Sequence, residues 1–194
     1  QWVELPHVPR LTVSSKWSEG MLTLTVKQAI SDKRPRYTMP FTVEVGATGG
    51  PSLHRGVLVD AKLQLQIPME AAPTYVAFDP HAGLLSKLKN EQDPEAWAAQ
   101  LESAHPAAVF RALVALGETD LSAPVVAVLE DKDRHFLVRA AAAKTLGKQR
   151  EMDALRPFAA DPHDRVRMVV LSALGSGLDG TDLPLLERRL RSDK

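Results

Sequence analysis

Val138-Arg139-Ala140-Ala141-Ala142-Ala143-Lys144-Thr145-Leu146-Gly147 can be laid over Val166-Arg167-Met168-Val169-Val170-Leu171-Ser172-Ala173-Leu174-Gly175 without a gap. The two glycines set an offset of 28 residues, and the same offset brings Asp133 onto Asp161 and His135 onto His163. A weaker copy lies upstream, where an offset of 30 places Gly117 on Gly147, Leu116 on Leu146 and His105 on His135. Self-similarity at a period of a few tens of residues marks a solenoid, in which each unit buries its apolar face only against the next one. Solenoid helices present surfaces, and they seldom carry catalytic constellations.

Outward from this repeat, the periodicity changes. In the first eighty residues it is two. Leu11, Val13 and Trp17 alternate with Thr12, Ser14 and Lys16, and Leu22, Leu24 and Val26 alternate with Thr23, Thr25 and Lys27. Phe41-Thr42-Val43-Glu44-Val45, Val57 with Val59, and Leu63, Leu65 and Ile67 among Lys62, Gln64 and Gln66 continue the pattern. Such alternation predicts strands with one buried face and one wet face. Ser18-Glu19-Gly20 reads as a hairpin turn, Gly46 to Pro51 as a looser loop, and Tyr75-Val76-Ala77-Phe78 as a last short strand. Six or more short strands at regular spacing predict an antiparallel β-sandwich.

Beyond Asp79-Pro80 the period is helical. Asp93-Pro94-Glu95 is a helix start, with an oxygen-bearing cap, proline in the first turn and an acid beside it. Asp161-Pro162 repeats that signal, and shorter amphipathic helices are expected near 124–130, 152–160 and 182–191. Each unit then reads as a helix pair closed by a glycine C-cap. The fold class is therefore α+β in two domains: an N-terminal antiparallel β-sandwich over 1–79 and an α-helical solenoid over 80–194. The strand-to-helix passage from Phe78 to Leu85 places the boundary near Asp79.

Composition narrows the function classes. An apolar fraction of 44% with 25% charged residues is that of an ordinary globular chain. Lys plus Arg number 24 and Asp plus Glu number 24, so the cationic surplus that supplies most nucleic-acid affinity is missing. Without cysteine there is no disulfide and no thiolate chemistry. No apolar run approaches the roughly 20 residues of a membrane-spanning helix, and no signal-peptide pattern opens the chain. Neither nucleic acid nor membrane is an expected partner. The first residue is Gln1, and the sequence reads as a piece of something longer.

Candidate chemistry is sparse. His105, His135 and His163 lie in register, yet each precedes a helix and stacked repeats sit about 10 Å apart, too far to share a zinc with bonds of about 2.1 Å. Asp133 and Asp161 with Arg139 and Arg167 read as a structural ladder, an acid at one helix start bonding an arginine one turn inside the neighbouring unit. His7, His54 and His81 have no His or carboxylate at ligand spacing, and no His-Glu-x-x-His occurs. Ser14, Ser15 and Ser52 show no positioned base, and Gly49-Gly50-Pro51-Ser52 is no phosphate loop. Lys33-Arg34-Pro35-Arg36 reads as a solvated basic loop, and the three tryptophans as filling core or interdomain space. No catalytic residue, cofactor ligand or metal ligand is expected in this chain.

A family resemblance adds to this reading. Trp2, Pro9-Arg10-Leu11-Thr12-Val13, Trp17, Leu22-Thr23-Leu24-Thr25-Val26-Lys27-Gln28 and Met39-Pro40-Phe41-Thr42-Val43-Glu44-Val45 resemble the β-sandwich that follows the catalytic domain of aminopeptidase-N-like zinc metallopeptidases, the gluzincins. Pro73-Thr74-Tyr75-Val76-Ala77-Phe78-Asp79-Pro80, then Gly83-Leu84-Leu85 and the helix opened by Trp97, are similar to that family's exit from the sheet. The helical part resembles short HEAT repeats of the phycobilisome-lyase type. The resemblance implies a parent with peptidase activity, whose zinc sits in an upstream catalytic domain on segments absent here. It implies that this chain is a non-catalytic C-terminal fragment, a structural spacer with a helical cover over the parent's cleft. The upstream catalytic domain is then the expected partner, with a peptide or protein along the helices as a further one. The alternative is a HEAT-repeat interaction scaffold whose parent has no peptidase activity, as in relatives that have lost the zinc ligands and serve in transcription complexes.

Overall fold

The computed structural model describes residues 7–31 and 35–177, together with Pro184 and Glu187. Trp2, Lys33, Arg34 and the helix expected over 182–191 lie outside this description, apart from Pro184 and Glu187. The chain is an α+β protein, strands first and helices after, and it divides into two compact units, Gln1–Val109 and Phe110–Lys194.

In the first unit, the strands are β1 (Arg10–Ser18), β2 (Met21–Gln28), β3 (Met39–Gly46), β4 (Ser52–Leu58), β5 (Lys62–Pro68), β6 (Tyr75–Phe78) and β7 (Lys87–Glu91). They form a four-stranded sheet in the order β5-β2-β1-β7 and a three-stranded sheet in the order β4-β3-β6. The alternating residues meet between the sheets: Leu11, Val13, Leu22, Leu24 and Val26 from one, Met39, Phe41, Val43 and Val45 from the other. Each buried aliphatic side chain contributes roughly 1.5–3 kcal/mol relative to exposure. Phe41 and Phe78 pack with ring centroids 5.0 Å apart. Glu19 at φ 52° and Gly20 at φ 76° make the tight β1–β2 turn with the left-handed conformations that match strand twist. At Gly56 an added Cβ would lie 2.4 Å from the Phe41 ring, so the bare backbone lets that ring cross β4.

One strand departs from the helical expectation beyond Asp79. Lys87-Leu88-Lys89-Asn90-Glu91 pairs in parallel with β1, from Arg10 opposite Lys87 to Ser14 opposite Glu91. Only Leu88 packs on the core, so the segment carries almost no apolar period, and its polar residues have another task. The Asn90 Nδ2 donates to the Val76 carbonyl at 3.0 Å, and the Val76 N–H donates to the Gln92 Oε1 at 2.7 Å. These amides stand in for a neighbouring strand along the free edge of β6, where unpaired backbone groups would otherwise be costly. Gln28 does similar work at the end of β2. Its amide donates to the carbonyls of Tyr37 and Asp60 and accepts from the Tyr37 N–H, at 2.8 to 2.9 Å. Helix α1 (Pro94–Gln100) follows, and α2 (Pro106–Leu116) begins in the first unit and ends in the second.

The second unit continues with α3 (Ala123–Glu130), α4 (Phe136–Gln149), α5 (Met152–Leu155) running into a 3₁₀ turn (Arg156–Ala160), and α6 (Asp164–Ser176). Helices α3 with α4, α4 with α6, and the 3₁₀ turn with α6 pack as neighbours around Leu129, Ala142, Leu146, Leu155, Val166 and Val170. Two helix ends differ from the sequence reading. α6 begins at Asp164 with His163 as its cap, two residues beyond the Asp161-Pro162 signal. Gly147 and Gly175 lie inside α4 and α6 instead of capping them, and Arg150 at φ 63° ends α4. Gly147 has a packing reason: a Cβ there would stand 2.7 Å from the Ala173 Cβ, so its absence lets α4 and α6 close up.

Candidate functional site

The ladder predicted between repeat units can be built residue by residue. Arg139 sits one turn into α4, buried with 5% of its side chain exposed, and reaches two elements. Its Nε donates to the Leu129 carbonyl at the end of α3 at 2.9 Å. Its two terminal nitrogens form a fork to Asp161, Nη1 to Oδ1 at 3.3 Å and Nη2 to Oδ2. The Asp161 side chain is 2% exposed, and its Oδ1 also accepts the His163 N–H at 3.0 Å. Burial by itself raises the Asp161 carboxyl; the Arg139 hydrogen bonds, the His163 N–H and the Arg139 charge more than offset this, holding it below the ordinary value. One guanidinium thus ties α3, α4 and the loop before α6 together.

The structure brings Arg139 and Asp161 together and leaves the other two expected residues apart. Asp133 is exposed, and its described bond is made by its backbone N–H to the Asp131 Oδ1 at 3.1 Å. Arg167 donates to the carbonyls of Asp161 at 2.9 Å and Pro162 at 3.2 Å, within its own repeat.

The histidines in register act as helix caps. The Nδ1 of His135 accepts the Leu137 N–H and the Nδ1 of His163 accepts the Arg165 N–H, each at 3.2 Å. The Phe136 ring lies between them, stacked on His163 at 3.9 Å and tilted against His135 at 4.3 Å. His105 instead meets His81 edge-on at 4.2 Å, a neighbour that local spacing could not reveal. Among the described residues no group of three or more His, Cys, Asp or Glu is placed to hold a metal ion. The zinc implied for a parent therefore has no fitting ligand set among them.

Two polar clusters escaped the sequence reading. Ser52 does have a base beside it, the His54 Nε2 at 2.9 Å from its Oγ across one residue of β4. On this edge strand Ser52 is exposed and His54 half-buried, no third group is described on the His54 Nδ1, and neither lines a described cavity. Among the described residues this pair has neither the orienting residue nor the water-excluding site that nucleophilic catalysis needs. The second cluster is buried. Glu44, 1% exposed on β3, accepts the Tyr75 hydroxyl at 3.2 Å and the Ser103 hydroxyl at 2.6 Å, and the Ser103 Oγ accepts the His105 N–H at 3.1 Å. The Tyr75 ring lies across Gly46, where a Cβ would fall 2.3 Å away. Burial first, then the Glu44 charge, pushes the Tyr75 hydroxyl up to about 12. The cluster fastens the turn after α1 onto the outer face of the sheet.

A cavity of about 610 Å³ on the shorter sheet is lined by Phe41, Thr42, Arg55, Asp79, His81 and Leu84 among others. The Asp79 carboxylate is occupied by the N–H groups of Gly83 at 2.8 Å and Leu84 at 3.1 Å, so it holds the turn. No helix of the described residues is long and apolar enough to cross a membrane.

Residues 83–175 match the family model of HEAT repeats. The fold is similar to that of the aminopeptidase A of Legionella pneumophila, solved in complex with aspartic acid, with a TM-score of 0.69 and 12% sequence identity. The similarity covers 94% of this chain and 29% of that one, so the chain spans less than a third of its length. No curated protein sequence matches the chain. At this identity the likeness establishes the fold: sheets followed by HEAT-type helices, as found within an aminopeptidase.

Proposed function

We propose that this chain is the non-catalytic C-terminal region of an aminopeptidase-N-like zinc metallopeptidase. Its sheets serve as a spacer and its helices as a cover over the cleft of an upstream catalytic domain, where the zinc resides. The observation that carries this reading is the similarity over 94% of the chain to an aminopeptidase of which it spans 29%. It is supported by side chains that build rigidity: the Arg139–Asp161 fork, the histidine caps and the Glu44 cluster all hold backbone in place. Reading the coding sequence upstream of Gln1 tests it. A His-Glu-x-x-His with a distal Glu is expected there; an upstream domain without those ligands overturns the peptidase reading. One observation favours a second reading, an interaction scaffold: the helices expose an apolar stripe that a mere spacer does not require.

A further inference from the structure

The three glycines in register fix which residues of α2, α4 and α6 are equivalent. Three residues before each stand Val114, Lys144 and Ser172, all exposed; six before stand Arg111, Ala141 and Val169, all half-buried. Adding Phe110, Leu137 and Met168 gives one outward stripe on each helix, at the spacing of a single helical face. Four large apolar side chains on it are half exposed: Phe110 53%, Val114 58%, Leu137 52% and Met168 50%. Such a run of exposed apolar groups on neighbouring helices marks a binding surface more than scattered surface residues do.

The charge that lines its grooves is one-sided, although the chain as a whole is neutral. The stripe carries Lys144, Lys148 and Arg165, against Glu118, which is paired with Lys148. Of the other exposed acids, Asp120, Asp131 and Asp133 lie in the connections, Glu130 ends α3, Asp153 lies in α5 and Asp164 begins α6. Between α4 and α6 a groove of about 410 Å³ runs past Lys144, Met168, Val169 and Ala173. A second of about 440 Å³, lined by Arg150 and Met152, adjoins it through shared Gly147 and Ser176. No carboxylate lines either one, and neither Lys144 nor Arg150 has an ion-pair partner among the described residues. The cation near the end of α4 partly answers the helix dipole, and a carboxylate from outside would complete the pairing that the fold leaves open.

We propose that the outward stripe of α2, α4 and α6 docks a protein segment that carries carboxylates beside aliphatic side chains, with the α4–α6 groove at its centre. Aliphatic groups fill the space between Met168 and Ala173, and carboxylates meet Lys144 and Arg150. This rests on the helices as an interaction surface and is independent of any peptidase in the parent, so an upstream sequence without zinc ligands would leave it standing.

The test uses the whole chain and fluorescent peptides of alternating composition, read by anisotropy. A leucine–glutamate peptide is expected to bind, while leucine–lysine and serine–glutamate peptides of the same length do not. Lys144→Glu is expected to weaken binding by about tenfold or more, as reversal of a charge in direct contact should, and Met168→Ser by a comparable factor. Lys62→Glu, on β5 far from the stripe in sequence, is expected to leave it unchanged. Both stripe residues are exposed, so circular dichroism should show folded variants. Equal binding of the glutamate and lysine peptides, an unaffected Lys144→Glu variant, or no binding of the leucine–glutamate peptide overturns the proposal. So does capture by phosphatidylserine vesicles without peptide binding, which would assign the cations to a membrane surface.

Discussion

Arg139→Leu is the sharpest perturbation of the helical unit. It removes the fork to Asp161 and the donor to the Leu129 carbonyl, and leaves a carboxylate 2% exposed with one described partner, the His163 N–H. Stranding one member of a buried ion pair costs about 3–5 kcal/mol. Lys148→Ala breaks an ion pair whose side chains are 52% and 73% exposed, and should cost under about 0.5 kcal/mol. Adding Asp161→Asn to Arg139→Leu removes the stranded charge and keeps an acceptor for His163, recovering about 1–2 kcal/mol. The measurement is urea denaturation followed by circular dichroism at 222 nm, at neutral and acid pH. The folded-state carboxyl of Asp161 lies below its unfolded value of about 3.9. Its stabilisation is therefore complete above that value and lost as pH falls through the folded one. Without Arg139, burial dominates and the carboxyl takes up a proton at higher pH, so the gap between native chain and variant should narrow on acidification from pH 7 toward about 4. Arg139→Leu and Lys148→Ala denaturing at the same urea concentration would refute the reasoning, as would a gap that widens in acid.

Further outcomes follow from the same structure. Gly175→Ala, with open space around its Cβ position, should stabilise by about 0.5–1 kcal/mol through helix propensity. Gly147→Ala should destabilise by about 1–3 kcal/mol, because its Cβ meets that of Ala173 at 2.7 Å; equal thermal shifts would deny the close approach. Tyr75→Phe should cost about 1–2 kcal/mol by leaving Glu44 one donor short. The raised tyrosine also makes stability fully present below about pH 10 and lost as pH rises through about 12, a loss the Phe variant should not share. Gln92→Leu should expose the Val76 N–H at the edge of β6 to faster hydrogen exchange, with Leu24 in the central strand β2 unchanged.

How far the sequence foretold this arrangement depends on the range over which each signal acts. Period-two alternation reports one buried face per strand, and it located β1, β2, β3 and β5 because each has its own apolar set. β7 has Leu88 alone on the core, and its Asn90 owes its place to a backbone contact 14 residues away, so no local pattern could announce it. Glu44 sat at a position that alternation assigns to solvent; what buried it is a hydroxyl 59 residues later in the chain. The helical repeat was legible because equivalent residues do equivalent work, which is why His135 and His163 both proved to be caps. Self-similarity does not say which of the equivalent pairs closes, however. Arg139 finds a carboxylate in the following unit, while Arg167 turns back to two carbonyls of its own. The aligned glycines diverge in the same way. Gly147 answers to Ala173 across a helix contact and Gly175 to open space, so a shared motif position can be a steric necessity in one repeat and a neutral choice in the next.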